Sequence, residues 1–133
     1  MRIAKQIPLV STNQLAEVKA FYTRHFGFRA TLDVPEYLAL VSEDGSVELG
    51  FMPPCEGAKA INGAGLTLCL QVQSADAEHS RIAPLGLRVT RSLQDNAWGD
   101  RSFVVEDPIG VSLYIHHPIP PTGKYGQASS NSA

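Results

Sequence analysis

The sequence lacks the features of a membrane-spanning or nucleic-acid-binding chain. No apolar run approaches the roughly 18 residues needed to cross a bilayer, and the apolar stretch at 7–10 is too short for the core of a signal peptide. Charged residues make up only 18% of the chain, the net charge is -2, and no basic cluster is present that would neutralise a run of phosphates. We therefore expect a cytoplasmic protein with no membrane and no nucleic-acid partner.

Cysteine is also scarce. Cys55 and Cys69 lie fourteen positions apart with no CxxC spacing, so neither a disulfide framework nor a thiolate metal site is indicated. Cys69 stands among leucines, which favours an inert core thiol over a nucleophile. The sequence contains no catalytic triad spacing and no phosphate-binding loop. These absences argue against nucleophilic and phosphoryl-transfer catalysis.

The 133 residues suit one compact domain with a sizeable apolar core. Residues 118–133 are rich in proline, glycine, serine and polar side chains, and they predict a flexible C-terminal tail beyond a domain at 1–117. A loop-like linker at 53–65 divides that domain into two modules, at about 3–52 and 66–117. Their similar lengths suggest an internal repeat.

The first module is predicted to be βαβββ. Thr12 or Asn13 can cap a helix whose apolar residues recur at helical spacing through Phe26, and Gly27 suits the position that follows a helix. Alternating or β-branched stretches on either side of this helix predict strands at 4–10, 28–34, 37–42 and 46–51.

The second module repeats this order. Residues 66–72 alternate strictly and predict a strand, and Ser74 can cap a short helix that ends near Ala83, before Pro84. The first helix is followed by GFRAT and the second by GLRVT, which are similar sequences at equivalent positions of the two modules. The predicted fold class is α+β, with two tandem βαβββ modules; the remaining strands are predicted at 87–93, 101–106 and 111–116.

Two motifs carry a resemblance to a known family. The first helix closes with FYTRHFGF, and the last hairpin reads EDPIGVSLYI. In this order and spacing, over residues 3–117, the chain resembles the vicinal oxygen chelate superfamily of glyoxalases, bleomycin-resistance proteins and extradiol dioxygenases. The segment AWGDRSFVVEDPIG is similar to the WGR to DPAG segment of the bleomycin-resistance proteins, with one extra residue. The resemblance implies a cupped mixed sheet around a small-molecule cleft, with helices outside, in a homodimer that pairs or swaps modules.

For the enzymes of the superfamily, the resemblance implies a divalent metal held by side chains on the first and last strands of each module. Glu48 keeps one such carboxylate, but the other matching positions carry Tyr114, Thr67 and either Lys5 or Ile7, which are poor ligands. Because a typical site needs at least three protein ligands, we predict no metal and no other cofactor. If a divalent metal is bound after all, through a shifted strand register, Glu48 is the residue expected to hold it.

Strand alternation defines a candidate cleft. If Thr67 faces the cleft, period two turns Cys69 to the same side, and the same argument applies to Tyr114 and His116 on the last strand. His117 then points to the opposite face, so the two histidines are not expected to bind one metal together.

Aromatic residues favour a flat ligand. Tyr37 and Trp98 fall where the bleomycin-resistance proteins place the aromatic residues that sandwich a drug, and Glu48 adds a carboxylate. Such a set suits a small hydrophobic, planar or cationic molecule. The predicted ligand-binding residues are Tyr37, Glu48, Thr67, Cys69, Trp98, Tyr114 and His116.

These residues also have purely structural interpretations. Trp98 stands in a loop next to Gly99 and could be a packing residue, and Glu48 could simply face solvent. Arg101 is expected to form a surface pair with Asp100 or Glu106.

The sequence as a whole favours a non-enzymatic binding protein of the bleomycin-resistance type, which sequesters a small molecule in a cleft at a dimer interface. The alternative is a metal-dependent glyoxalase-like or dioxygenase-like enzyme, in which Glu48 binds the metal and Tyr114 or His116 supplies acid–base chemistry. A third interpretation is a small-molecule sensor or a structural partner of another protein. A net charge of -2 is too small to concentrate a cationic drug, which makes bleomycin itself a poor candidate.

Overall fold

A computed structural model of the chain describes residues 1–57, 59–61, 63 and 65–126. The chain divides into two compact units, Met1–Ala64 and Gly65–Ala133. Each unit contains a four-stranded mixed sheet and an α-helix. The predicted fold class, α+β with two tandem βαβββ modules, is confirmed.

The first unit has the strand order β1-β4-β3-β2. Strands β1 and β4 are parallel, which requires a long connection, and the intervening helix and hairpin supply it. The other neighbours are antiparallel. The elements are β1 (Leu9–Ser11), α1 (Leu15–Phe26), β2 (Arg29–Val34), β3 (Tyr37–Val41) and β4 (Glu48–Met52).

The second unit repeats this topology with the strand order β5-β8-β7-β6. Its parallel pair is β5 with β8, and the other two pairs are antiparallel. A short 3₁₀ helix, Ala83–Leu85, follows the α-helix. The elements are β5 (Thr67–Gln71), α2 (Ala75–Ile82), β6 (Arg88–Asn96), β7 (Asp100–Glu106) and β8 (Ser112–Pro118).

Each helix covers one face of the sheet in its own unit. In the first unit, Tyr22 of α1 is 1% exposed, and its ring centroid lies 5.4 Å from that of Phe28 and 5.9 Å from that of Phe51. In the second unit, the ring of His79 on α2 lies edge-on to Phe103 at 5.1 Å, and Phe103 is fully buried. The opposite face of each sheet, which we call the helix-free face, is the one that α1 or α2 leaves uncovered.

The helix ends show which local signals the sequence carries. Ser74 caps α2 as predicted, since its hydroxyl accepts a hydrogen bond from the backbone N–H of Ala77 at 3.1 Å. Helix α1 ends at Gly27 in the left-handed conformation, with φ of 70°. Its predicted cap is wrong, because the N-cap residue is Gln14, and Thr12 instead accepts a hydrogen bond from the Gln14 N–H.

Several strand boundaries differ from the predictions, most of all those of β1, β6 and β8. Strand β1 has three residues instead of the predicted 4–10, because Pro8 has no N–H to donate to a ladder and the residues before it are exposed. Strand β8 extends to Pro118, past the predicted domain end at 117, because its last residues pair with the start of β7.

The predicted tail begins with residues that are bound to the second unit. The Ile119 N–H donates to the Gly99 carbonyl and the Thr122 N–H donates to the Ala97 carbonyl, both at 2.9 Å. These bonds hold the chain against the turn between β6 and β7. The rest of the predicted tail, residues 127–133, lies outside the described residues.

Among the described residues, no helix combines the length and the apolar character needed to span a membrane.

Replacing Ser74 with alanine is expected to lower the free energy of unfolding by about 1 kcal/mol, because the Ala77 N–H loses its acceptor. Urea denaturation measures the difference. Ser80→Ala on the same helix, where the residue is exposed, is the matched control and is expected to change stability by less than about 0.5 kcal/mol. Equal losses in the two variants would contradict the capping role.

Candidate functional site

The helix-free face of the second sheet carries the predicted polar side chains. On β8, Leu113 and Ile115 are buried on the helix side, while Tyr114 and His116 alternate to the other side and are half-buried. The alternation predicted for this strand is therefore present. His117 points to the helix side, where its Nδ1 accepts a hydrogen bond from the Ala75 N–H at 2.7 Å, at the start of α2.

A buried carboxylate lies on this face, at the end of the sheet next to the turn between β6 and β7. Asp100, the first residue of β7, is 9% exposed. The Tyr114 hydroxyl donates to its two oxygens at 2.8 and 3.0 Å, and the Asn96 amide donates to one of them at 2.8 Å. The same amide nitrogen lies 2.9 Å from the hydroxyl of Ser102, which is fully buried. The carboxylate thus has polar partners in place of the water that it loses.

The electrostatics of Asp100 keep it ionised. Burial, the largest single influence, raises the pKa of this carboxyl group. Hydrogen bonds from Asn96, Tyr114 and Trp98, together with the nearby His116, lower it, and their sum outweighs burial, so the pKa lies below the ordinary 3.8. At neutral pH, Asp100 is therefore a fixed negative charge that accepts hydrogen bonds.

Trp98 lies beside this carboxylate, in the turn between β6 and β7. Its Nε1–H donates to the Tyr114 hydroxyl at 3.2 Å, and its ring meets the Tyr125 ring edge-on with centroids 6.3 Å apart. The guanidinium carbon of Arg91 lies 5.4 Å from the centroid of the indole ring. Despite these three contacts, Trp98 is 46% exposed, so it is both an oriented side chain and an accessible surface. We call Trp98 and Tyr125 the aromatic platform.

Arg91 connects this platform to the carboxylate. Its Nη2 donates to the side-chain oxygen of Asn96 at 2.7 Å, and Asn96 donates in turn to Asp100. Its Nε is buried and has no hydrogen-bond partner among the described residues. The members of this network, which we call the Asp100 cluster, are Arg91, Asn96, Trp98, Asp100, Ser102 and Tyr114.

The first unit places its two predicted site residues on its own helix-free face. Glu48 forms an ion pair with Lys5. Tyr37 packs over Gly50, where a Cβ would collide with the phenol and would approach Leu9 Cδ1 to 3.2 Å. Glycine at this position therefore makes room for the Tyr37 ring.

Strand β5 corrects one expectation from the sequence. Cys69 is exposed and pairs in register with Tyr114, so the interpretation of an inert core thiol is wrong. The reason is that β5 is an edge strand whose leucines alternate to the other side, which leaves Thr67 and Cys69 open to solvent.

The donor set does not fit a divalent metal. Glu48 is engaged by Lys5, the Tyr114 hydroxyl donates a hydrogen bond to Asp100, and Thr67 offers only a neutral hydroxyl. Within the part of the chain that the structure describes, no group of three or more His, Cys, Asp or Glu side chains is arranged to hold a metal ion.

Sequence reasoning missed the centre of the cluster. Asp100 was expected only as a possible partner of Arg101, but Arg101 pairs with Asp76 at 3.0 Å and with Asp95 at 2.9 Å. Alternation along β7 would have placed Asp100 on the same face as Ser102, opposite to Arg101. Asn96 and Arg91 had no sequence signal, because their contacts depend on the irregular pairing of β6 with β7.

Tyr114→Phe is expected to lower the free energy of unfolding at pH 7 by about 1–3 kcal/mol, because a buried carboxylate loses a donor. The hydroxyl stabilises ionised Asp100, whose folded-state pKa is lowered, so this stability is present at neutral pH and is lost as the pH falls through that pKa, below 3.8. Urea denaturation between pH 7 and pH 3 measures the difference.

Tyr125→Phe is the matched control for this prediction. Its hydroxyl has no hydrogen-bond partner among the described residues, so little change is expected at any pH. A stability gap between wild type and Tyr114→Phe that stays constant from pH 7 to pH 3 would contradict the link to Asp100.

The chain matches known proteins in sequence. Residues 6–115 match the family described as the Glyoxalase/Bleomycin resistance protein/Dioxygenase superfamily. Uncharacterised proteins of Mycobacterium bovis and Mycobacterium tuberculosis are 35% identical over 60 residues, which is 45% of this chain. The chain's match spans 35–40% of the length of these curated relatives.

Solved structures share the fold at low identity. TnmS3, an antibiotic binding protein from Streptomyces sp. CB03234, is 23% identical with a TM-score of 0.73, covering 89% of this chain and 98% of that one. A lactoylglutathione lyase from Agrobacterium tumefaciens is 18% identical with a TM-score of 0.71, covering 88% and 95%. A bleomycin resistance determinant encoded on the transposon Tn5 is 17% identical with a TM-score of 0.68, covering 87% and 98%. With a family match over most of its length and this fold, the chain belongs to the glyoxalase/bleomycin resistance protein/dioxygenase superfamily.

Proposed function

We propose that the protein is a non-enzymatic small-molecule binding protein that sequesters a planar aromatic ligand and works as a homodimer. One observation carries this proposal: Trp98 is half-exposed while Arg91, Tyr114 and Tyr125 hold its ring in place. An aromatic surface that is already ordered loses little conformational entropy when a flat ligand stacks on it.

The chemistry of the Asp100 cluster favours binding over catalysis. Asp100 is held ionised by its donors, so it carries no proton to give to a substrate near neutral pH, and the Tyr114 hydroxyl is engaged in hydrogen bonds to Asp100. The donor set does not fit the divalent metal on which enzymes of the superfamily rely. The cluster instead orients Trp98 through the Tyr114 hydroxyl.

Membership of the superfamily supports a small-molecule ligand, but it is compatible with both a binding protein and an enzyme. Proteins of the same fold include an antibiotic binding protein and a bleomycin resistance determinant, and also a lactoylglutathione lyase. One fold therefore hosts both activities, and the distinction between them depends on the side chains at the site.

The binding test uses 2-naphthylmethanol, a neutral planar probe, in isothermal titration calorimetry. Trp98 is the single tryptophan of the chain, so the indole N–H resonance in an NMR spectrum reports directly on this site. We expect that resonance to shift on addition of the probe, and we expect Trp98→Ala to weaken binding about tenfold or more, because the stacking surface is lost.

The control for the binding test is Leu85→Ala, since Leu85 belongs to the same unit and has a similar exposure of 42%. This variant is expected to bind the probe with unchanged affinity. Binding that survives Trp98→Ala, or that is lost equally in both variants, would contradict the assignment of the site.

Metal content separates the proposal from the metal-dependent alternative. Protein purified without chelator or affinity tag, from medium supplemented with zinc, manganese, iron, nickel and cobalt, is expected to carry no stoichiometric metal. About one tightly held ion per chain would overturn the proposal, and Glu48→Gln would then show whether Glu48 is a ligand.

A further inference from the structure

We infer that the ligand is a planar aromatic anion, such as an aromatic carboxylate, sulfonate or phenolate. This inference rests on the proposed function and narrows the class of ligand. It follows from the way in which charges are paired around the aromatic platform.

The acidic side chains of residues 65–126 are all engaged. Asp100 is buried beneath donors from Tyr114 and Asn96, and Asp107 is buried and accepts from the backbone N–H groups of Ile109 and Val111. The other acids form ion pairs within the unit: Asp76 and Asp95 with Arg101, Glu78 with Arg81, and Glu106 with Arg88.

Two cations of the same residues are left without an acidic partner. Within 65–126, Arg91 and Lys124 form no salt bridge with a described residue. Both lie over the aromatic platform: the Arg91 guanidinium is 5.4 Å from the Trp98 centroid, and the Lys124 ammonium is 5.2 Å from the Tyr125 centroid. The surface proposed to stack a ligand is therefore flanked by two cations that form no salt bridge with a described residue.

This arrangement selects against a cationic ligand. Arg91 and Lys124 already lie over the rings of the platform, and a cationic ligand would meet their repulsion. Asp100 offers no compensating contact, because it is buried and accepts hydrogen bonds from the protein itself. Of the ligand types expected from the sequence, the planar one fits this site and the cationic one does not.

An anionic ligand would be attracted by the two cations that repel a cationic ligand. Arg91 donates from Nη2 to the neutral side-chain oxygens of Asn96 and Gln94, at 2.7 and 3.5 Å, so its guanidinium has no direct contact with a carboxylate among the described residues. A carboxylate or sulfonate on a stacked ring would supply that counter-charge through charge-assisted hydrogen bonds. Lys124 is exposed and would contribute a weaker, more screened attraction.

The test compares three probes that share one ring: 2-naphthoate, 2-naphthylmethanol and 2-naphthylmethylammonium. Isothermal titration calorimetry at pH 7.5 and 50 mM NaCl is expected to show that the anion binds about tenfold tighter than the alcohol and that the cation binds weakest. Raising the NaCl concentration to 500 mM is expected to weaken the binding of the anion and to leave the binding of the alcohol unchanged.

Variants assign the effect to the two cations. Arg91→Gln is expected to weaken the binding of 2-naphthoate about tenfold, and Lys124→Gln is expected to weaken it about two- to fivefold. Neither variant is expected to change the affinity for the alcohol by much. Arg81→Gln is the matched control, because it removes the same charge from α2, on the opposite face of the same sheet. If Arg91→Gln fails to fold, the Lys124→Gln variant and the salt dependence decide the question.

The outcomes separate the inference from the proposed function. Cation binding that equals or exceeds anion binding would overturn the inference and leave a planar-ligand protein. Equal affinities for the anion and the alcohol would also overturn it. Failure of all three probes to bind at Trp98 would overturn the proposed function, and the inference with it.

Discussion

The burial of one carboxylate organises the helix-free face of the second unit. Ionised Asp100 is tolerated in that position only because Tyr114 and Asn96 donate to it. Those two donors make further hydrogen bonds: the Tyr114 hydroxyl accepts one from Trp98, and the Asn96 side chain accepts one from Arg91. The hydrogen bonds that satisfy the buried charge thus also fix the position of an aromatic ring at the surface.

The two units solve the same packing problem with different side chains. In each, a helix covers one sheet face and period-two alternation turns every second side chain to the other face. The first unit fills its helix-free face by packing Tyr37 over Gly50, whereas the second fills it with a hydrogen-bonded network. The repeated topology therefore supplies a frame, and the chemistry differs between the units.

Most of the fold could be predicted from the sequence, because its signals are local. Alternation located the strands, and capping and glycine signals located the ends of α2 and the end of α1. The site was only partly predictable. Trp98 and Tyr114 stood out by residue type and by resemblance, but Asp100 looked like a surface acid, since only its pairing across the sheet shows that it is buried. Cys69 was misjudged because its neighbours in sequence do not reveal that β5 is an edge strand.

The bonds from Ile119 and Thr122 to the turn that carries Trp98 place part of the proposed binding surface outside the sheet. Tyr125 reaches the indole ring from this C-terminal segment. A segment that follows the last strand and contributes little to the core tolerates substitution far better than the strands do. Related chains could therefore acquire different ligand preferences by exchanging a few terminal residues, while the sheet and its buried carboxylate stay the same.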